Sequence, residues 1–223
     1  MFKRIFLTVA LTMALAVPAF AQNSGFYLGL KFIDSIQSTG NVSTSKSASF
    51  FDTGDYSQNT VGGGAFVGYD FYPANDIPLR AEIEYAIRTN SETDWDAKHG
   101  LDATLKGRWN LQTLFLNVYW DFHNDTAFTP YIGGGLGMGF IESRYKVEGQ
   151  GYSGSSTDYN TVFAWNAGAG VSYAFTETIS ADLAYRFVGL GYYEHEKSFA
   201  GQKAKVGMAP YANEFSLGVR FTF

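Results

Sequence analysis

Apolar and polar residues alternate with a period of two in eight stretches of this chain. That is the period of a β-strand with one face in an apolar phase. Gly25–Ile33 places Phe26, Leu28, Leu30 and Phe32 on one face. Asn59–Tyr72 places Val61, Ala65, Val67, Tyr69 and Phe71 there, and Leu79–Arg88 places Leu79, Ala81, Ile83, Tyr85 and Ile87. Leu111–Phe122 carries Leu114, Leu116, Val118, Trp120 and Phe122; Tyr131–Ile141 carries Ile132, Leu136, Met138 and Phe140. Asn160–Phe175 carries Phe163, Trp165, Ala167, Ala169, Val171, Tyr173 and Phe175. Ile179–Phe187 carries Ile179, Ala181, Leu183, Tyr185 and Phe187. The last, Asn213–Phe223, carries Phe215, Leu217, Val219, Phe221 and Phe223.

None of these faces holds a charge, whereas the opposite faces hold eleven: Lys31, Asp70, Arg80, Glu82, Glu84, Arg88, Asp121, Asp182, Arg186, Glu214 and Arg220. A slip of one residue would exchange the faces, so the segregation fixes the phase of all eight strands. Asp34 and Glu142 break the parity and are expected at strand ends, beyond the apolar band.

The connections sort by length. Four are long and polar (Asp34–Gln58, Thr89–Asn110, Glu142–Tyr159, Val188–Ala212). They alternate with three short turns (Pro73–Pro78, His123–Pro130, Thr176–Thr178). An antiparallel meander of even strand number puts all the long connections, and neither terminus, at one end.

A tilted strand of about 9–11 residues crosses a bilayer. Hydrocarbon admits only structures whose backbone groups are all paired internally, which for strands means a closed barrel. The sequence therefore predicts an all-β fold: an eight-stranded antiparallel up-and-down transmembrane β-barrel, apolar outside and polar inside. The aromatic residues nearest the short turns (Phe26, Tyr69, Phe71, Trp120, Phe122, Tyr173, Phe175, Phe221, Phe223) form one interfacial girdle. Phe32, Phe140, Phe163 and Trp165 contribute to the other. The rival is a secreted soluble barrel with the apolar face around a ligand. Eleven charges on eight strands are few for a solvated wall, and ending on Phe223 in phase with Phe221 and Val219 suits a last strand in lipid.

Composition narrows the picture further. The 223 residues contain 25 glycines, 35 Phe plus Tyr and 5 prolines, a β-rich profile. The absence of cysteine excludes disulfides, thiolate metal sites, a Cys nucleophile and a lipid-anchor Cys. The net charge of −5, with scattered basic residues, argues against nucleic-acid binding. Lys3 and Arg4, the apolar run Ile5–Val17 and Ala19-Phe20-Ala21 read as a secretory signal peptide over residues 1–21. The run is shorter than the ~20 residues of a spanning helix. This leaves residues 22–223 as one barrel domain.

With the signal peptide, two further stretches carry a resemblance: Thr129-Pro130-Tyr131-Ile132-Gly133-Gly134-Gly135-Leu136-Gly137 and the last strand Glu214–Phe223. The chain resembles the small eight-stranded outer-membrane barrels, namely the opacity-protein and surface-antigen group and the OmpA-like and OmpX-like barrels. The resemblance implies a location in the outer membrane of a Gram-negative bacterium, with lipid and lipopolysaccharide around the barrel. It also implies that Phe215, Leu217, Val219, Phe221 and Phe223 serve as the signal read by the barrel-insertion machinery. The peptidoglycan-binding domain of full-length OmpA-type proteins is not carried over.

Four sets of residues bear on function. The eleven charges are expected to pair inside a lumen only wide enough for side chains, which makes them a structural plug; an ion-selective channel is the alternative. The glycine clusters (Gly62–Gly64, Gly133–Gly135 with Gly137 and Gly139, Gly168 with Gly170) fit no phosphate-binding pattern and read as room for bulky neighbours in a curved wall. His99, His123 and His195 are isolated. Glu194-His195-Glu196-Lys197-Ser198 is the one place where a lipid-modifying enzyme could be sought, but no ordered third group accompanies it. No catalytic, cofactor or metal site is expected. The long connections mix Ser, Thr, Asn and Gly with aromatics: Phe50, Phe51, Tyr56, Trp95, Trp109, Tyr145, Tyr152, Tyr192, Tyr193, Phe199 and Tyr211. Such loops suit contact with an extracellular protein or glycan. The expected role is structural, surface-antigen or adhesion-type.

Overall fold

The computed structural model of the protein describes residues 25–38, 43–44, 57–96, 103–149, 152–191, 193–199 and 202–223. The elements are β1 (Phe26–Ser38), β2 (Ser43–Thr44), β3 (Ser57–Asp70), α1 (Tyr72–Asn75), β4 (Leu79–Arg88), β5 (Ser91–Asp96), β6 (Ala103–Asp121), β7 (Phe128–Gly149), β8 (Tyr152–Ala174), β9 (Ile179–Leu190), β10 (Tyr193–Phe199), β11 (Gln202–Met208) and β12 (Tyr211–Thr222).

Each long strand pairs antiparallel with its sequence neighbours, and β1 pairs with β12, for example Leu30 with Val219. That last pairing closes eight strands into a barrel. β4 and β5 are one strand interrupted by a bulge: Ile87 faces Gln112 while Ser91 faces Trp109, so three residues oppose two. The start of β1 and the end of β12 meet at the short-turn end, where the Phe223 N–H donates to the Phe26 carbonyl at 3.0 Å. The three turns of that end are α1 with its flanks, residues 122–127 and residues 175–178.

The expected phase of every strand is the observed one: Leu30, Leu116, Leu136, Phe163, Leu183 and Leu217 all face outward and are more than half exposed. An apolar wall of this kind requires lipid around it. The side chains shielded from both lipid and solvent are those pointing to the axis.

The strands are longer than the alternation alone suggested. The connections expected as loops at 89–110, 142–159 and 188–212 are largely strand: β5 with the top of β6, the joined tops of β7 and β8, and the β10–β11 hairpin, on which β2 pairs through Val206 and Gly207. β7 has 22 residues and β8 has 23. At about 3.3 Å per residue and a tilt near 40°, each climbs about 55 Å along the axis, against an apolar band of about 25 Å. The extra length projects past the membrane at the long-connection end. Polar composition hid it: charged residues, Ser, Thr and Asn dominate these segments, and alternations such as Leu105 and Trp109 against Lys106 and Arg108 are short.

Candidate functional site

Side chains at alternate positions of all eight strands converge on the axis, and they divide it into two storeys. The lower storey, nearer the short turns, is ionic. At its floor, Arg80 forks onto Asp121 through Nε at 2.6 Å and Nη2 at 2.9 Å. The same guanidinium lies over the rings of Tyr119 and Tyr131, 5.1 and 4.8 Å from their centroids. Arg220 lies 3.5 Å from Asp182 and donates to Ser172 and Ser180. Above them runs a continuous chain of charges. Lys31 donates to Glu84 at 2.7 Å; Arg186 bridges Glu84 and Glu214, each at 2.8 Å; Arg88 meets Glu214 at 2.6 Å. Asn117 and Ser35 donate further hydrogen bonds to the two glutamates. Glu82 faces Lys31 at 3.6 Å.

Ten of the eleven charges singled out in the sequence thus lie in ion pairs. Asp70 is set apart from them, its Oδ1 accepting the Tyr72 backbone N–H at 2.9 Å. Glu84 and Glu214 are fully buried. Glycine makes room for the large partners. A Cβ at Gly170 would lie 2.5 Å from the Tyr131 ring, and one at Gly68 would lie 2.3 Å from the Tyr27 ring. The cavity left among Lys31, Arg80, Glu82, Tyr131, Asp182 and Arg186 is open to water centres over about 40 Å³, room for a few waters.

Above the ionic storey lies an apolar one, which the alternation pattern did not reveal. Leu111, Phe115, Ile141, Val162, Ala164, Val188, Leu190 and Ala212 form a buried apolar cluster on the inner wall of β6–β9 and β12. Cross-strand pairing brings several of them side by side, Leu111 with Ile141, Ala164 with Leu190 and Val188 with Ala212. The facing wall supplies hydroxyls and amides: Ser35, Thr60 and Gln37 are linked by hydrogen bonds, as are Ser91 and Gln58. The signal was present in the chain. These apolar residues carry the parity of the charged face and gather at the long-connection ends of their strands. Above them a shallow hollow is lined by Trp109, Asn110, Leu111, Ile141, Pro210 and Tyr211.

On the outside, the girdle at the short-turn end is made of touching rings. Phe26 packs on Tyr69 at 4.8 Å and Tyr69 on Phe71 at 4.9 Å; Tyr173 packs on both Phe128 and Phe175. At the other end Trp165, Phe187 and Tyr211 form a row. Beyond it Glu142 pairs with the exposed Arg144 at 2.6 Å, and the hydrogen bond it accepts raises the Arg144 guanidinium above its ordinary value. Phe215, Leu217, Val219 and Phe221 face outward, and Phe223 is half-buried at the seam with β1.

Among the histidines, His123 is exposed in a short turn. His195 belongs to β10, opposite Val206, and not to a loop as expected. Residues 1–21, His99, Phe50, Phe51, Tyr56 and Tyr192 lie outside the described residues.

The family of outer membrane protein beta-barrel domains matches residues 7–223. The chain belongs to this family. Among its relatives, the outer membrane protein PagN of Salmonella typhimurium is 33% identical over 184 residues, covering 76% of this chain and 75% of the relative. A putative adhesin of Rickettsia conorii is 27% identical over 164 residues, covering 70% of this chain and 65% of its own. Among solved structures, Neisserial surface protein A superposes with a TM-score of 0.55 at 20% identity, over 90% of this chain and 98% of that one. OprG of Pseudomonas aeruginosa gives 0.52 at 16% identity, over 90% and 97%. These two likenesses are of fold. Membership in the family places the protein in the cell outer membrane, and the exposed apolar wall is the physical counterpart of that location.

Proposed function

We propose that this outer-membrane barrel is a surface-contact protein: a closed scaffold that holds polar strands clear of the membrane for an extracellular protein or glycan. The observation that carries the reading is the projection of β5, the tops of β6–β8 and the β10–β11 hairpin past the apolar band. Function gathers on segments held by a rigid scaffold. The similarity to PagN and to a putative adhesin supports an adhesion-type role. The lumen is a plug, not a channel; paired charges below and an apolar layer above support this. The role is non-enzymatic, residues 1–21 are removed on export, lipopolysaccharide surrounds the outer leaflet half, and the insertion machinery reads Phe215, Leu217, Val219, Phe221 and Phe223.

Expression in a non-adherent Gram-negative host tests the proposal. The intact chain is expected to raise attachment to cultured epithelial cells several-fold. Deleting residues 145–156, the joined tops of β7 and β8, is expected to remove that gain while surface display and heat-modifiable mobility persist. Attachment unchanged by the intact chain, or undiminished by removing these projections, contradicts it. A steady, large single-channel conductance in planar bilayers contradicts the plug.

A further inference from the structure

The floor of the barrel carries a group of side chains that the ionic network of the lumen uses only in part. Asp70 ends β3, Asp121 ends β6, and His123 follows in the turn to β7. β4 lies between β3 and β6, with Arg80 opposite Asp70 on one side and next to the end of β6 on the other. Both carboxylates therefore point to one spot beneath β4, and the imidazole reaches it from the turn. One ligand atom from each of the three lies within 4.8 Å of the other two. Asp70 and Asp121 are 51 positions apart in sequence, so only the barrel register brings them together.

We propose that Asp70, Asp121 and His123 form a divalent transition-metal site, best suited to Zn²⁺, at the short-turn floor of the barrel. Donors around a tetrahedral zinc, each about 2.0–2.2 Å from the ion, are about 3.3–3.5 Å apart. The present spacing, up to 4.8 Å, has to close to that value on binding. One imidazole and two carboxylates leave a fourth position for water and match a borderline ion; calcium requires six to eight oxygens and magnesium a near-octahedral oxygen shell.

The supporting contacts are those a metal site needs. Arg80 holds Asp121 by its two-pronged bond, an outer-shell partner of the kind that orients a ligating carboxylate. The Tyr72 ring stacks on the imidazole with centroids 3.7 Å apart and planes 10° from parallel, and the Tyr72 N–H holds Asp70. Two carboxylates and one guanidinium leave the site a net charge of −1, which favours a dication. The bound ion would staple the β3–β4 turn to the β6–β7 turn across β4. Because it binds the folded barrel only, it would also raise the barrel's resistance to unfolding.

The test uses the full chain, expressed to the outer membrane without a polyhistidine tag, extracted in detergent and stripped of metal. Isothermal titration with Zn²⁺ is expected to show one saturable site and a higher temperature for the heat-modifiable transition. H123A and D70N are each expected to weaken binding at least about tenfold, and H195A to leave it unchanged. In the same titration with Co²⁺, the visible absorption of the bound ion is expected to vanish in H123A. His123 is exposed in a turn, so H123A decides the matter even if D70N fails to fold. Absence of saturable binding, binding unaltered in H123A, or an equal loss in H195A overturns the proposal; equal affinity for Mg²⁺ overturns the choice of ion.

Discussion

The two storeys of the lumen fill the same cylinder with opposite chemistries. In the lower one, Lys31, Glu84, Arg186, Glu214 and Arg88 are linked by ion pairs in a continuous chain. In the upper one, Leu111, Phe115, Ile141, Val162, Val188 and Leu190 fill space by contact alone. Packing tolerates errors of shape at a moderate cost, whereas a buried ionic network is sensitive to the loss of any member. The lower storey therefore specifies which strands face which, since each charge has to find its partner across the axis. The upper storey packs the inner wall with side chains that have no alternative partner to seek.

The comparison breaks most visibly at Glu214, where the storeys meet. Glu214→Ala leaves Arg88 and Arg186 short of a counter-charge and is expected to destabilise the barrel by about 3–5 kcal/mol, read as a lower urea midpoint in detergent. The paired change Glu214→Leu with Arg88→Met extends the apolar storey downward and is expected to recover part of that loss, because Arg88 no longer lacks a counter-charge while Arg186 keeps only Glu84. If the double variant is as unstable as the single one, specific ionic contacts matter more than neutrality.

Leu111→Ala probes the upper storey. Truncating a buried Leu to Ala costs about 2–5 kcal/mol, and the lower end is expected here because Leu111 already borders the hollow at the mouth. Bilayer conductance is expected to stay at baseline, since the ionic storey beneath remains filled. Gly170→Ala acts where the wall makes room for the floor. Its methyl would sit 2.5 Å from the Tyr131 ring and 2.7 Å from the Leu183 carbonyl. Overpacking of this kind costs about 1–3 kcal/mol, and Tyr131→Leu is expected to relieve only part of it because the carbonyl cannot move away.

What could be read from the chain divides along physical lines. The eight strands, their phase and the closed barrel were legible because lipid outside and charges inside impose a strict period of two, visible in runs such as Leu79–Arg88. The strand extensions were not, because the tops of β7 and β8 are dominated by Ser, Thr, Gly and charged residues, and the few apolar ones, such as Tyr145 and Val147, give only a weak alternation. The apolar storey was half-visible: Leu111, Ile141 and Val188 have the parity of the inner face, but a rule that equated inner with polar passed over them. Arg80, Glu84 and Glu214 share one parity in the sequence, yet their partners were unreadable, since pairing across the axis depends on how the barrel closes. The same holds for Asp70, Asp121 and His123, which a linear pattern scatters over two turns.

The smallest expected effect makes the sharpest contrast. Glu142 and Arg144 lie 2.6 Å apart, the same separation as Arg88 and Glu214. The first pair sits outside the barrel, above the girdle, with the Arg144 side chain 63% exposed; both side chains of the second are fully buried. Water solvates Arg144 whether or not Glu142 is present, and ordering two long side chains offsets most of the attraction. Arg144→Ala is therefore expected to leave the urea midpoint in detergent unchanged within the error of the measurement. Raising the salt should not widen the gap between it and the parent. A loss approaching that of Glu214→Ala would mean that bond length, not burial, governs the strength of ion pairs in this barrel, and the division into storeys would lose its energetic basis.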